Sequence, residues 1–452
     1  MVGDSSTVRT FGSNRVSRGL VDFLRAEASG GLIMLGATAV ALVVANTDLV
    51  HTYRDFLHQQ AGIWLGPWSL ELSLQHWVND GLMTIFFFLV GLEIKREFLF
   101  GELASARRAA LPVVAAVGGA VVPAGLFLLL NAGGPHARGW GIPMATDIAF
   151  AVTILVLLGK RAPLWLKSFV TALAIADDLM AVLVIAVFYT ASLDLTTLAY
   201  AGVVVGALAA ANLLSVQRPA VYVSLTVLLW YFVLQSGIHA TIAGVIAAAF
   251  VPATRRTPLP TGSASSREIR QGLDVLESTP EHQEEWEVVD EREAELDHIA
   301  VAAARLSAPL YRLEHAIHPW SAFVVLPIFA LFNAGVTIPF EALGQALRNP
   351  LALGIMLGLF LGKQVGITCF TWLVIRLGLG QMPVGATWRQ LWGGAALGGI
   401  GFTMSIFIAS LAFGESAELE LAKLAILIGS FISAVFGVML LRYTPTDLAT
   451  DA

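Results

Sequence analysis

The sequence predicts an all-α polytopic membrane protein of about twelve transmembrane helices in inverted 3+3 repeats. Two interrupted helices are expected to cross at the midplane, and a small β-hairpin to sit outside the membrane. Three observations predict this. Hydrophobic residues make up 56% of the 452-residue chain and charged residues only 13%, about half the charge of a soluble domain, and mean hydropathy is +0.74. Apolar runs of the roughly 20 residues needed to cross a bilayer recur along the chain. Two of those runs carry helix breakers in corresponding places of the two halves, the pattern of an inverted-repeat transporter with its site at the midplane.

In order, a cytoplasmic N-terminal arm (1–29) leads into membrane helices 1–8 (30–252). The runs lie at 30–47, 78–99, 110–131, 142–159, 165–190, 197–214, 219–235 and 237–251. Helices 9–12 (313–443) follow from runs at 319–338, 350–375, 388–413 and 420–441, and 444–452 is a tail. No cleavable signal is expected, because the polar, basic start through Arg25 runs into a long apolar helix without an evident cleavage site. Arg9, Arg15, Arg18 and Arg25 precede the first run, and Lys95, Arg96, Arg107 and Arg108 follow the second. Lys160, Arg161, Lys167, Arg218, Arg255, Arg256, Arg376 and Arg389 continue the bias, whereas the alternate loops hold few bases, such as Arg54, Arg138 and Arg348. By the positive-inside rule both termini are cytoplasmic.

Two soluble pieces interrupt the helices. Ile63-Trp-Leu-Gly-Pro-Trp-Ser-Leu-Glu-Leu-Ser-Leu74 alternates around a Gly-Pro break and reads as a β-hairpin over 63–74; an amphipathic loop is the other reading. The second piece is a cytoplasmic acidic loop, 253–312. Residues 274–297 hold eleven acids against Arg292, a charge of −10, so the chain's net −6 leaves +4 for the rest. The first half of the loop, rich in Pro, Ser, Thr and Gly, is expected to be disordered. In the second half Leu296, Ile299, Ala303, Leu306, Leu310 and Leu313 recur at helical spacing, with Pro309 expected to kink or end that helix. Cys369, the single cysteine, excludes an intramolecular disulfide framework.

The chemistry-bearing residues stand inside the apolar runs. Asp177 and Asp178 are adjacent in the fifth, about 100° apart around a helix. A mid-membrane carboxylate costs several kcal/mol and is retained where it faces a cavity or partner, so the pair reads as a cation or proton site. Asp147 lies in Gly141-Ile-Pro-Met-Ala-Thr-Asp-Ile-Ala-Phe150, where Pro143 and Gly141 interrupt the fourth run near Thr146. Gly393-Gly-Ala-Ala-Leu-Gly-Gly-Ile-Gly-Phe-Thr-Met-Ser405 predicts a second break around Gly399 and Gly401. It lacks the strand context and Gly-Lys-Ser/Thr ending of a phosphate loop. Asp147 is expected to offset facing helix N-termini and Lys363 facing C-termini, with Asp177 as the buried partner of Lys363.

The chain resembles the NhaA family of bacterial sodium/proton antiporters from about Ala26 to Arg442. The resemblance rests on Asn79-Asp80-Gly81, Val90-Gly-Leu-Glu-Ile-Lys-Arg-Glu97, Pro143-Met-Ala-Thr-Asp-Ile-Ala-Phe150 and Ala172-Leu-Ala-Ile-Ala-Asp-Asp-Leu179. It continues through Gly237-Ile-His-Ala-Thr-Ile-Ala-Gly244, Leu313-Glu-His-Ala-Ile-His-Pro319, Phe332-Asn-Ala-Gly335, Gly362-Lys363 and Gly399-Ile-Gly-Phe-Thr-Met-Ser-Ile-Phe-Ile-Ala-Ser410. This family is itself one from which the inverted-repeat rule is drawn, so that agreement is not independent.

The resemblance implies electrogenic exchange of cytoplasmic Na+ or Li+ for external H+, pH-regulated, in the bacterial inner membrane, by a homodimer. It implies Asp178 as main cation ligand, Asp177 as proton carrier paired with Lys363, and Asp147 and Thr146 lining the breaks. Glu93, Glu97, Glu314, His315 and His318 match a pH-responsive cytoplasmic cluster, His239 a further pH-responsive histidine, and the hairpin a dimer contact. Ordinary solvated charges at helix ends are the plainer reading of Glu93 and Glu97, and passive loop histidines that of the three histidines. Met180, where glycine is common, and the long acidic loop depart from the family pattern and bear on pH profile and kinetics. No cofactor is expected beyond the transported ions, and no nucleic acid.

Two other functions compete. An intramembrane aspartyl protease would use Asp147 with Asp177 or Asp178 as a dyad, but leaves Lys363 and the paired breaks unexplained and lacks the Gly-x-Gly-Asp pattern. A cation channel differs from an antiporter in having no obligatory proton exchange.

Overall fold

Runs this apolar satisfy their backbone groups within helices, and the chain is mostly α-helical. The computed structural model describes residues 13–65, 68–189, 193–254, 307–338, 347–383 and 385–444, with 270, 271, 274 and 344. Among the described residues nine helices are long and apolar enough to cross a membrane, or ten if one bent pair counts as a single span. The chain is a multi-pass membrane protein. The acidic residues of 275–297, the expected amphipathic positions 296–306, residues 1–12 and the tail beyond Thr444 lie outside the described residues.

The order is α1 (Ser13–Ala45), α2 (Val50–His58), β1 (Gln60–Leu65), β2 (Trp68–Ser73) and α3 (Leu74–Phe100). Next come α4 (Ala106–Asn131), a 3-10 stretch (Ala137–Met144), α5 (Ile148–Leu157), α6 (Leu164–Phe188) and α7 (Leu195–Leu213). α8 (Pro219–Gln235), α9 (Ile242–Phe250), α10 (Pro309–Asn333), α11 (Pro350–Arg376), α12 (Trp388–Leu397), α13 (Phe402–Phe413) and α14 (Ala417–Arg442) complete it. Helix starts follow local chemistry. Pro opens α8, α10 and α11, where its missing N–H costs nothing. Thr387 and Gln390 form a capping box on α12, and Ser416 caps α14 ahead of Glu418 and Glu420.

β1 and β2 form the hairpin, antiparallel from Gln60↔Ser73 to Leu65↔Trp68; residues 66–67 between them lie outside the described residues. Trp77 Nε1 of α3 donates to Ala61 O at 2.8 Å, tying the hairpin to the helices.

One expectation is corrected. The run 237–251 contains only the nine-residue helix α9, a rise of about 13 Å at 1.5 Å per residue. The chain before it turns instead, with Gly237 at φ +84°, a conformation that glycine alone adopts without strain. Pro309 starts a helix (α10) after an extended Ala308 (ψ 153°), as the residue preceding proline prefers; the helix expected before it lies outside the described residues.

Glycines let the backbones of α4 and α11 approach closely. A Cβ on Gly366 would lie 2.1 Å from Gly118 O, so only glycine lets these helices touch. Their contact drives Lys363, one turn before Gly366, into the protein interior.

Candidate functional site

Helical breaks leave backbone donors and acceptors without partners, and buried ones must find others. Here two breaks supply each other. Residues 145–147 separate the 3-10 stretch from α5, and Gly398–Gly401 separate α12 from α13, which are bent by 45°. Asp147 N donates to Ile400 O at 2.7 Å and Thr146 Oγ1 to Gly398 O at 2.8 Å. A Cβ on Gly399 would meet Leu359 O at 2.3 Å and Ser433 Oγ at 2.7 Å. Glycine is required there for the second break to sit against α11. Pro143 Cβ presses on Gly358, and Gly401 is packed beside Ala145 O.

The charges follow the broken helix ends. Asp147 caps α5, accepting from Phe150 N at 3.2 Å through Oδ1. Its Oδ2 accepts from Thr403 N at 3.0 Å and from the Thr403 hydroxyl. The carboxylate therefore lies between the N-termini of α5 and α13, the positive ends of both helices. Ser430 Oγ of α14 accepts from Gly401 N and Phe402 N, each at 3.2 Å, and Ser405 Oγ donates to Ile142 O at 2.7 Å.

Lys363 is 0% exposed. Its Nζ donates to Asp177 Oδ2 at 2.7 Å and to Thr146 Oγ1 at 2.9 Å. Thr146 thus stands between the ammonium and the carbonyl that ends α12. Directly before Lys363, residues Gly358–Gly362 form a wide π-helical turn, a distortion frequent at functional sites.

Asp178 is 2% exposed and Asp177 1%. Their offset around α6 sends Asp177 to Lys363 and leaves Asp178 with no hydrogen-bond donor among the described residues. Asp177, Asp147 and Glu93 repel its charge and Lys363 attracts it. Burying a carboxylate in that field is costly unless its charge is offset.

The other candidates fall into two places. At the basic end of the bundle, Arg96 links two acids: Nη1 pairs with the Glu314 carboxylate and Nη2 lies 3.1 Å from Glu97 Oε1. Glu314 and Glu93 are buried. His315 is exposed, its Nδ1 2.9 Å from Tyr311 O, and His315 and His318 lie within electrostatic reach of Glu314. Glu93 acts on both Arg96 and Asp178, joining this cluster to the breaks. Lys95 Nζ donates to Ala249 O at 2.7 Å and Val251 O at 2.6 Å, a cation on the negative end of α9. His239 stands apart from the cluster. Its Nε2 is 2.8 Å from Tyr189 O, and burial pulls its pKa below the ordinary 6.5.

Thr403, Ser405, Ser430 and Arg96 were not singled out from the sequence. A hydroxyl one turn beyond a glycine break signals Thr403 and Ser405. Ser430 and the partner of Arg96, 218 residues away, carry no local signal.

A family model described as Na+/H+ antiporter 1 matches residues 21–441. An Na(+)/H(+) antiporter NhaA of Anaeromyxobacter sp. is 48% identical over 432 residues, covering 95% of this chain and 92% of that protein. Proteins of the same name from Bordetella parapertussis and Oleidesulfovibrio alaskensis are 47% and 46% identical, covering 94% and 93% of this chain and 96% and 92% of their own lengths.

Proposed function

The chain belongs to the Na+/H+ antiporter 1 family, and from that premise we propose that it exchanges cytoplasmic Na+ or Li+ for external H+ across the bacterial inner membrane. The observation that carries the reading is the pair of unlike carboxylates at the helix breaks. Asp177 is held by Lys363 at 2.7 Å, and Asp178 is buried without a donor among the described residues. Asp178 is the main cation ligand and its oxygens suit a hard, weakly held alkali ion. The same oxygens take a proton, so Na+ and H+ exclude one another and their flows are coupled. Asp177 is the second proton carrier, bound to Lys363 in alternation with its proton. Two protons loaded in one half-cycle and one Na+ in the other move net charge, which makes the exchange electrogenic.

Around this site the chain forms inverted 3+3 repeats, with the interrupted helices crossing at the midplane and both termini cytoplasmic. Asp147 and Lys363 compensate the helix ends while Thr146 lines the site. Glu93, Glu97, Glu314, His315 and His318, organised by Arg96, set the pH response, with Glu93 as the link to Asp178. His239 contributes from its separate position. The hairpin pairs two copies into a homodimer, and the other partners are Na+, Li+, H+ and the bilayer.

Proteoliposomes carrying an imposed ΔpH test this. Added Na+ or Li+ should dissipate the gradient, faster when the membrane potential is clamped with valinomycin and K+. Sodium flux that persists without any counterflow of protons would instead identify a channel.

A further inference from the structure

A cavity of about 410 Å³ opens at the basic end, away from the breaks, between the start of α4, the start of α6 and the segment after α11. Its polar lining is Arg107, Arg108, Trp165, Ser168 and Gln381; its walls are apolar, with Leu111, Pro112, Phe169, Ala172 and Pro383 among them. Both arginines are exposed, and neither is ion-paired to an acid among the described residues. Trp165 Nε1 is buried with no acceptor among the described residues. Three groups that donate and cannot accept therefore line one cavity, beside Ser168 and Gln381, and no carboxylate is among its described lining residues.

We propose that this cavity binds the phosphate of an anionic phospholipid. Guanidinium forks fit phosphate oxygens in bidentate fashion, and the indole N–H supplies a further donor. The apolar walls and the position decide for lipid over free phosphate. Arg107 begins one apolar span, Trp165 stands one residue into another, and Gln381 follows a third. All three lie at span ends, where phospholipid headgroups sit and where tryptophan gathers. Basic clefts between helix ends are the expected seats of such headgroups. Acyl chains extend from the cavity along α4 and α6, and α6 carries Asp177 and Asp178 deeper in the bundle.

The test uses the full-length purified protein in detergent, titrated with phosphatidylglycerol, phosphatidylcholine and glycerol 3-phosphate and followed by native mass spectrometry and thermal shift. Phosphatidylglycerol should be retained and raise Tm, while the other two do neither. The Arg107→Gln/Arg108→Gln variant should bind phosphatidylglycerol about thirtyfold more weakly, given roughly 1 kcal/mol for each basic side chain near a headgroup. Trp165→Phe, which leaves the charge unchanged, should weaken it several-fold. Arg389→Gln, a basic residue outside the cavity, should bind as wild type does. Undiminished phosphatidylglycerol binding in either cavity variant overturns the assignment. Equal losses in Arg389→Gln reduce it to general charge attraction, and a thermal shift with glycerol 3-phosphate alone would make it a free-phosphate site.

Discussion

Replacing Asp177 with Asn removes the carboxylate 2.7 Å from Lys363 and leaves a fully buried ammonium with Thr146 Oγ1 as its remaining hydrogen-bond partner among the described residues. Breaking a buried ion pair from one side costs about 3–5 kcal/mol. Unfolding entropy of about 2.1 cal/mol/K per residue over 452 residues is close to 1 kcal/mol/K, so Tm should fall by about 3–5 °C. The double variant Asp177→Asn/Lys363→Met removes both charges, and replacing a buried pair by apolar groups is near neutral or stabilising. Most of the loss should therefore return. Tryptophan fluorescence melts in detergent, run side by side on wild type, single and double variants, provide the comparison. An unchanged Tm in the single variant, or a double variant as unstable as the single, refutes the view that Lys363 is held by Asp177.

Asp178→Asn should not lower Tm, since no donor is lost and repulsion from Asp147, Asp177 and Glu93 is relieved; a fall of several degrees would mean Asp178 has a structural partner. Gly399→Ala drives a methyl into Leu359 O and Ser433 Oγ and should cost about 1–3 kcal/mol, read as a lower Tm with weaker Na+ exchange; wild-type behaviour of both would show that the break tolerates a side chain. Arg96→Ala leaves Glu314 buried without its guanidinium, a loss of about 1–3 kcal/mol that should accompany a shifted pH–activity profile, and an unmoved profile would remove the cluster from regulation. His239 is held neutral by burial, its folded pKa below the unfolded value. Its contribution to stability is full above pH about 6.5 and is lost as pH falls through the folded pKa. His239→Gln should flatten the acid limb of the Tm–pH curve, and parallel curves would contradict this.

Burial costs made the centre legible in the sequence. A lysine and three aspartates in apolar runs need partners, which pointed to Lys363 with Asp177 and to Asp147 at facing N-termini before any geometry. Pro143 and Gly399 marked the breaks because one lacks a backbone donor and the other admits close approach. The alternation of 63–74 was enough for the hairpin, although its first strand begins at Gln60. What stayed hidden depends on tertiary contact. The wide turns Trp77–Leu82, Ser321–Val325 and Gly358–Gly362 insert one residue per turn without altering hydrophobicity. Hydropathy also reads 237–251 as one span, because it is blind to the positive φ at Gly237. Arg96 looked like one more base at a helix end, and only folding brings Glu314 to it.

Competition between Na+ and H+ for Asp178 is tested most directly by titrating the purified protein with Na+ calorimetrically in two buffers of different ionisation enthalpy. Proton release on binding then appears as the difference between the two apparent enthalpies. Wild type should release protons as it binds Na+, and Asp178→Asn should bind no Na+ at all. Sodium binding of wild-type affinity in Asp178→Asn, or binding to wild type with no proton released, would contradict the account.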